Sequence, residues 1–298
     1  MSKLREKILK GDFVITAELT PPKGPETFNL IKKLEELKNV VDAVNFTDNP
    51  SAKLFMCSMA ACKISLDVGV EPVLQMTCRD RNRIAIQSDL LGAHALGIRN
   101  LLVMSGDHTI FGDHKEAKPV YDIDSSILVK VVNNLNKGLD IKGNKLNGKT
   151  EFFFGAVVNP NAEPLIPQIK RFEQKLKMGA EFFQTQMIFD LERLKRFMDF
   201  ADKFNIKIIA GVVIIRNKKM LYYLSEKIPG VVVPEWLINK IEGLDEEDIK
   251  KYGMEFAYNL IKKIMDEKIC HGVHIMAFSK IKEVTELLNF SKIVKMKV

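Results

Sequence analysis

The sequence predicts an α/β protein folded as a single (β/α)8 TIM barrel, and three observations carry that expectation. Eight short β-type runs alternate with amphipathic stretches over most of the 298 residues, the pattern of a closed parallel barrel. Most of the runs are nearly continuous apolar segments, as expected of strands covered on both faces. Neither a Gly-rich dinucleotide turn nor a phosphate-binding P-loop follows any run, which puts a doubly wound open sheet second.

The strands are expected near Phe13–Leu19, Ala43–Asp48, Pro72–Cys78, Asn100–Gly106, Phe152–Asn159, Phe182–Phe189, Ile206–Val213 and Val273–Phe278. Between them, Thr27–Lys38, Ala52–Leu66, Arg83–Leu96, Ser125–Asn136, Pro164–Met178, Leu191–Phe204 and Lys218–Lys227 repeat apolar residues at three- and four-residue spacing, the stripe of a helix lying on a sheet. Two interruptions stand out: an extended loop, Ile110–Asp122, after the fourth strand, and the polar connection Lys137–Thr150 before the fifth. Val233-Pro-Glu-Trp and an acidic segment from Gly243 precede a helix from about Ile249 to Glu267, giving extra helix toward the C-terminus. No linker divides the chain, so residues 1–298 read as one domain.

Composition narrows the class. With 46% hydrophobic and 28% charged residues the chain can bury a core. Its apolar runs fall short of the roughly 18 residues that cross a bilayer, and the start MSKLREKILKGD lacks a signal peptide's apolar centre. A cytoplasmic protein is expected, its four cysteines (Cys57, Cys62, Cys78, Cys270) reduced. The net charge of +7 is scattered, without a basic block or an aromatic-interleaved stripe, so small anionic ligands are favoured over nucleic acid or membrane.

In a barrel the C-terminal strand ends converge on one pocket, so what each strand delivers there is informative. Glu18 ends the first, flanked by Ala17 and Leu19, a setting suited to a general acid; an ion pair at the rim is the plainer reading. Asp107 follows Ser105-Gly106, where glycine lets backbone approach a flat ligand; its carboxylate could bind heterocycle nitrogens, bind a metal or cap the next element. The nearby His108, Asp113 and His114 raise a metal-dependent hydrolase as an alternative, but no histidine ends the first two strands to complete such a site. Cys57 and Cys62 lie off a common helix line, and His271 and His274, three apart, would face opposite sides of a strand, so neither pair is a metal site.

Together these strand ends resemble the methylenetetrahydrofolate reductase family over nearly the whole chain. The matching pieces are Thr16-Ala-Glu-Leu-Thr-Pro-Pro22, Asn45-Phe-Thr47, Gln75-Met-Thr-Cys78, Ser105-Gly-Asp107, Gly155-Ala-Val-Val-Asn-Pro160, the run from Lys177 to Gln186, Gly211-Val-Val, Val233-Pro-Glu-Trp and Gly272-Val-His-Ile-Met-Ala277, in the family's order. The resemblance implies a flavin-dependent barrel that reduces 5,10-methylenetetrahydrofolate to 5-methyltetrahydrofolate, with hydride passing from the flavin N5 to the methylene carbon. It makes Glu18 the general acid that opens the folate's five-membered ring. By the same resemblance Asp107 is expected to stabilise the cationic folate and Gln186 to hydrogen-bond the pterin. Thr47, Gln75, Ser105, Gly106, Asp107, Tyr121, Asn159, Ala162 and Lys175 fall where the family contacts FAD.

Two departures qualify it: Ser105 and Gln75 stand where many members have arginine and histidine, which keeps FMN as an alternative flavin. The segment Gly211–Met220, where the family meets NAD(P)H, lacks the usual proline, which brings in an electron-transfer partner subunit as an alternative donor. A homo-oligomer is the expected assembly, and no resident metal is expected.

Overall fold

The computed structural model describes residues 2–228, 230–278 and 280–290. Eight parallel strands close into a barrel: β1 (Val14–Leu19), β2 (Ala43–Phe46), β3 (Pro72–Thr77), β4 (Asn100–Met104), β5 (Phe153–Val158), β6 (Phe182–Met187), β7 (Lys207–Val213) and β8 (Gly272–Met276). Each pairs with its sequence neighbours, and β8 closes on β1 with Val14 opposite Gly272 and Thr16 opposite His274.

The helices are α1 (Lys3–Lys10), α2 (Phe28–Leu37), α3 (Ser58–Val68), α4 (Arg83–Ala95), α5 (Ser125–Asn136), α6 (Ile166–Lys177), α7 (Leu191–Ala201), α8 (Lys218–Lys227), α9 (Glu235–Glu242), α10 (Glu246–Asp266) and α11 (Ile281–Phe290). The predicted barrel and its eight strands are all present; β1 and β7 end at the mouth where expected and the other six one or two residues earlier, where residues such as Asp48, Ser105 and Gly106 follow the strands.

Three helices were absent from the sequence reading. Ser2 caps α1 by accepting the Arg5 N–H, and Gly11, at φ +86°, ends it in the left-handed conformation that glycine adopts without strain. Leu4 and Ile8 on one α1 face are buried beneath the barrel. The extra segment between β7 and β8 holds α9 as well as the expected α10, and α11 follows β8. The helix expected from Ala52 begins only at Ser58: Asn49, Ser51 and Ala52 all have positive φ, which breaks the helical path. Cys57 therefore precedes α3 and is exposed, while Cys62, Cys78 and Cys270 are buried; all four are free thiols.

The interior has two distinct levels. At the N-terminal end Val14, Ala43, Val73, Leu102, Phe153, Phe182 and Ile209 meet Leu4 and Ile8 in an apolar plug. Two residues further along β1, β2, β3 and β6, the same inward direction delivers Thr16, Asn45, Gln75 and Gln184, and β8 adds His274, all buried and all polar. Outside the barrel the other strand faces pack against the helices in one large core, and a second cluster joins Met187, Val213 and Met276 to Leu221 and Leu224 of α8 and Leu237 and Ile241 of α9. No helix of the described residues is long and apolar enough to cross a membrane.

Candidate functional site

Gln75 and Gln184 of the polar level line a cavity of about 640 Å³ that opens at the strands' C-terminal ends. Glu18, Thr47, Gln75, Ser105, Gly106, Asp107, Asn159, Lys175 and Gln186, nine of the residues singled out in the sequence, line it. Tyr121 and Ala162 stand outside the lining. The half-buried Tyr121 donates its hydroxyl to the Gly106 carbonyl (3.0 Å) and stacks on His108, and Ala162 sits in the turn after Asn159.

On the β1 side, Glu18 Oε2 lies 3.8 Å from Nε2 of His274, which is fully buried. His274 Nδ1 is 2.8 Å from the Thr16 hydroxyl, and His271, outside β8, instead accepts the Ile208 N–H through Nδ1. Burial pushes the His271 imidazole down to about 4. On the β2 and β3 side the Asn45 amide donates to Gln184 (2.9 Å), while Asn45 Oδ1 and Thr47 Oγ1 are buried without a hydrogen-bond partner.

The rim is braced by a charge network that the sequence reading did not single out. Asp48 accepts both the backbone N–H and the hydroxyl of Thr77 (2.9 Å each) and pairs with Arg81 at 2.7 Å. Burial works against the Arg81 charge, but Asp48 and Asp89 overcome it and hold the guanidinium above its ordinary range. Arg79, almost fully buried, pairs with Asp80 and donates to the Asp107 carbonyl at 3.3 Å. Asp107 itself is exposed at the mouth and accepts the Ser51 N–H (3.1 Å). Gly106, at φ +86°, is the pivot of that strand end: a Cβ there would meet the Thr77 side chain at 2.9 Å.

Across the cavity, α6 contributes Gln168, Arg171, Gln174 and Lys175. Lys175 is buried and donates to the Val157 carbonyl (2.9 Å); burial, with help from the Arg171 charge, lowers its ammonium to about 8. Asp124, Ser125 and Ser126, at the start of α5, line the same wall. Burial also pushes the neighbouring Cys78 thiol up to about 12, which keeps it protonated and unreactive.

Two expectations are not brought to the cavity. Residues 211–220 are absent from its lining, and Val212, Val213, Ile214 and Ile215 are core residues. His114 pairs with Asp113, which in turn pairs with Lys23; among the described residues no three His, Cys, Asp or Glu side chains gather closely enough to hold a metal ion.

A family model described as Methylenetetrahydrofolate reductase matches residues 3–292. The chain belongs to the methylenetetrahydrofolate reductase family. It is 25% identical over 239 residues to Methylenetetrahydrofolate reductase 2 of Schizosaccharomyces pombe, a match covering 73% of this chain and 35% of that protein. It is 24% identical over 260 residues to the 5,10-methylenetetrahydrofolate reductase of Buchnera aphidicola subsp. Schizaphis graminum, covering 85% of this chain and 83% of that one. The chain thus spans about a third of its yeast and nematode relatives, at 35% and 32%, and most of its bacterial ones. Among solved structures, a Clostridium thermocellum protein described as binding two copies of 5-methyl-5,6,7,8-tetrahydrofolic acid overlays on 98% of this chain and 100% of its own, with a TM-score of 0.67 at 16% identity, a likeness of fold.

Proposed function

We propose that the chain reduces 5,10-methylenetetrahydrofolate to 5-methyltetrahydrofolate with a flavin held in the barrel mouth. The observation that carries this reading is that Glu18, Asp107 and Gln186 open into one cavity of a chain matched by the family model almost end to end.

The cavity suits the flavin on its own terms. Its size lies in the range of small-molecule sites, and its wall offers the buried, unpartnered Thr47 Oγ1, the amide of Gln75 and a cationic flank from Arg171 and Lys175. Thr47, Gln75, Ser105, Gly106 and Asn159 would hold the ring system and its chain, and Lys175 with Arg171 the phosphate of FAD or FMN. The bound flavin would supply the hydride.

The chain's own residues do the rest. Glu18 gives its proton to folate N10 as the bond from N10 to the methylene carbon breaks; that bond's electrons stay on N10 and the opened cation accepts hydride. Asp107 sets a negative charge at the mouth where the folate becomes cationic. Gln186, whose side-chain oxygen accepts the Met187 N–H at 3.0 Å, presents its amide to the pterin.

A second reading concerns only the electrons. Because residues 211–220 do not line the cavity, reducing equivalents would come from a partner protein instead of NAD(P)H. The experiment is anaerobic. Flavin-loaded protein is titrated with NADH and NADPH, then photoreduced and mixed with 5,10-methylenetetrahydrofolate. Bleaching by a nicotinamide favours the self-sufficient enzyme, and reoxidation by folate after photoreduction alone favours the partner. A reduced flavin that folate leaves unchanged refutes the proposal.

A further inference from the structure

Arg79 follows the end of β3 by two residues and is 2% exposed, yet it borders the cavity. A guanidinium so buried keeps its charge, so the group that pairs with it decides the field it casts on its neighbours. Nε and Nη2 grip the two carboxylate oxygens of the adjacent Asp80 at 2.8 and 2.7 Å, a bidentate fork. The other contacts go to main chain: Nη1 donates to the Asp107 carbonyl at 3.3 Å and Nη2 to the Asp48 carbonyl at 3.5 Å. Gly106 permits the approach, since a Cβ there would stand 3.3 Å from the Arg79 Cβ. Arg79 thus ties together the loops that follow β2 and β4, and its own carbonyl accepts the Val120 N–H at 2.7 Å from farther along the second of them.

The division of charge is the informative part. Arg79 holds Asp107 through a neutral carbonyl, while the Asp107 carboxylate accepts the Ser51 N–H. Asp48 is committed to Thr77 and Arg81. That leaves Asp80 as the counter-ion. Burial works against the Asp80 charge, but its hydrogen bond to Arg79 leads the groups that outweigh burial and hold the carboxyl below its ordinary range. Asp80 itself is absent from the cavity lining.

We propose that Arg79 and Asp80 together position Asp107: the guanidinium fixes the Asp107 main chain, and Asp80 neutralises that guanidinium so that the Asp107 carboxylate keeps its charge for the cationic folate. The inference rests on the role proposed above for Asp107. Without Asp80, an unpaired cation would stand beside Asp107, and away from bulk water such a charge acts over several ångströms and cancels much of the carboxylate's field. A lysine in place of Arg79 would keep the charge but lose the planar fork that grips Asp80 and reaches the Asp107 carbonyl at once.

The test uses the flavin-loaded whole chain, photoreduced and mixed in stopped flow with 5,10-methylenetetrahydrofolate over a range of concentrations. Asp80→Asn should lower the limiting reoxidation rate constant about three- to tenfold, with half-saturating folate and flavin retention within about twofold of wild type. Asp80→Glu returns the charge and should return the rate. The deciding readout is the double-mutant cycle with Asp107→Asn. Once the Asp107 charge is gone, adding Asp80→Asn should cost less than about twofold, because both changes remove the same effect. Arg79→Lys gives a second cycle with the same expectation, should Asp80→Asn fail to fold. Losses that multiply in the cycle, or that fall on flavin retention or half-saturation instead of the limiting rate, make the pair a brace for the loops and overturn the proposal. A folded Asp80→Asn that reoxidises at the wild-type rate overturns it as well. Should Asp107→Asn alone leave the folate step intact, the role given to Asp107 fails first and takes this proposal with it; an effective Asp107→Asn with independent losses at Asp80 refutes this proposal alone.

Discussion

The two ends of the barrel interior are made by the same strands and do opposite things. At the N-terminal end Val14, Val73 and Phe182 close around α1 in an apolar plug; two residues later the same strands offer Thr16, Gln75 and Gln184. Each polar group there is costly to bury and would be replaced by apolar packing if stability were the only demand. The contrast teaches that the lower level holds the cylinder in shape and the upper level spends part of that stability on placing polar groups, which is the division expected of this architecture.

Breaking the upper level should show in chemistry first. Glu18→Gln is expected to slow folate-dependent flavin reoxidation by about 10²–10⁴-fold, the span of general acid catalysis, with flavin binding and Tm close to wild type. Stopped-flow absorbance reads this directly, and a rate within a few-fold of wild type would remove Glu18 from the mechanism.

The lower level should answer with stability. The Phe182 ring stacks on Phe153 at 4.9 Å and fills the space beside Gly155, where a Cβ would collide with it. Phe182→Ala should cost about 3–5 kcal/mol in urea unfolding while the reoxidation rate of the folded fraction holds. A loss below about 1 kcal/mol would mean that the plug collapses around the gap and is not the rigid base described.

At the rim, Asp107→Asn keeps the acceptor for Ser51 N–H but removes the charge. Folate-dependent reoxidation should fall about tenfold more than flavin reduction by an artificial donor. Equal effects on both half-reactions would reduce Asp107 to a loop anchor.

Two smaller effects follow from burial. Lys175 titrates near 8 instead of 10.5, so its positive charge is present below pH 8 and fades above it. Flavin affinity should weaken as pH rises through 8, and Lys175→Met should flatten that dependence in equilibrium dialysis. The stability sign is opposite: between pH 8 and 10.5 the unfolded chain binds more protons, so this group favours the fold as pH rises. His271, held down to about 4 against an ordinary 6.5, is protonated in the unfolded chain first. Stability should therefore decline as pH falls from 6.5 toward 4, and His271→Gln should make that limb shallower in Tm measured against pH.

Much of this was legible in the sequence because strands and their ends are local. Apolar runs marked all eight strands, and residues immediately after them, such as Thr47 and Ser105-Gly106-Asp107, line the cavity because a parallel barrel leaves them nowhere else to go. What escaped is non-local. His274 meets Thr16 across 258 residues, where the last strand closes on the first, and a spacing argument within one strand cannot see that contact. Asp48 and Arg81 pair between separate loops. The start of α3 was misplaced because nothing local announced positive φ at Ser51 and Ala52. The eight-residue helices α1 and α9 give too little periodicity to separate from their flanks, and α1 owes its place to burial of Leu4 and Ile8.

The central claim, that the cavity at the barrel mouth is a flavin site, is tested most directly by the visible absorption spectrum of the purified chain after incubation with FAD and gel filtration. The account predicts a flavin band at close to one equivalent per chain. A protein that emerges without flavin after reconstitution with either FAD or FMN would contradict it.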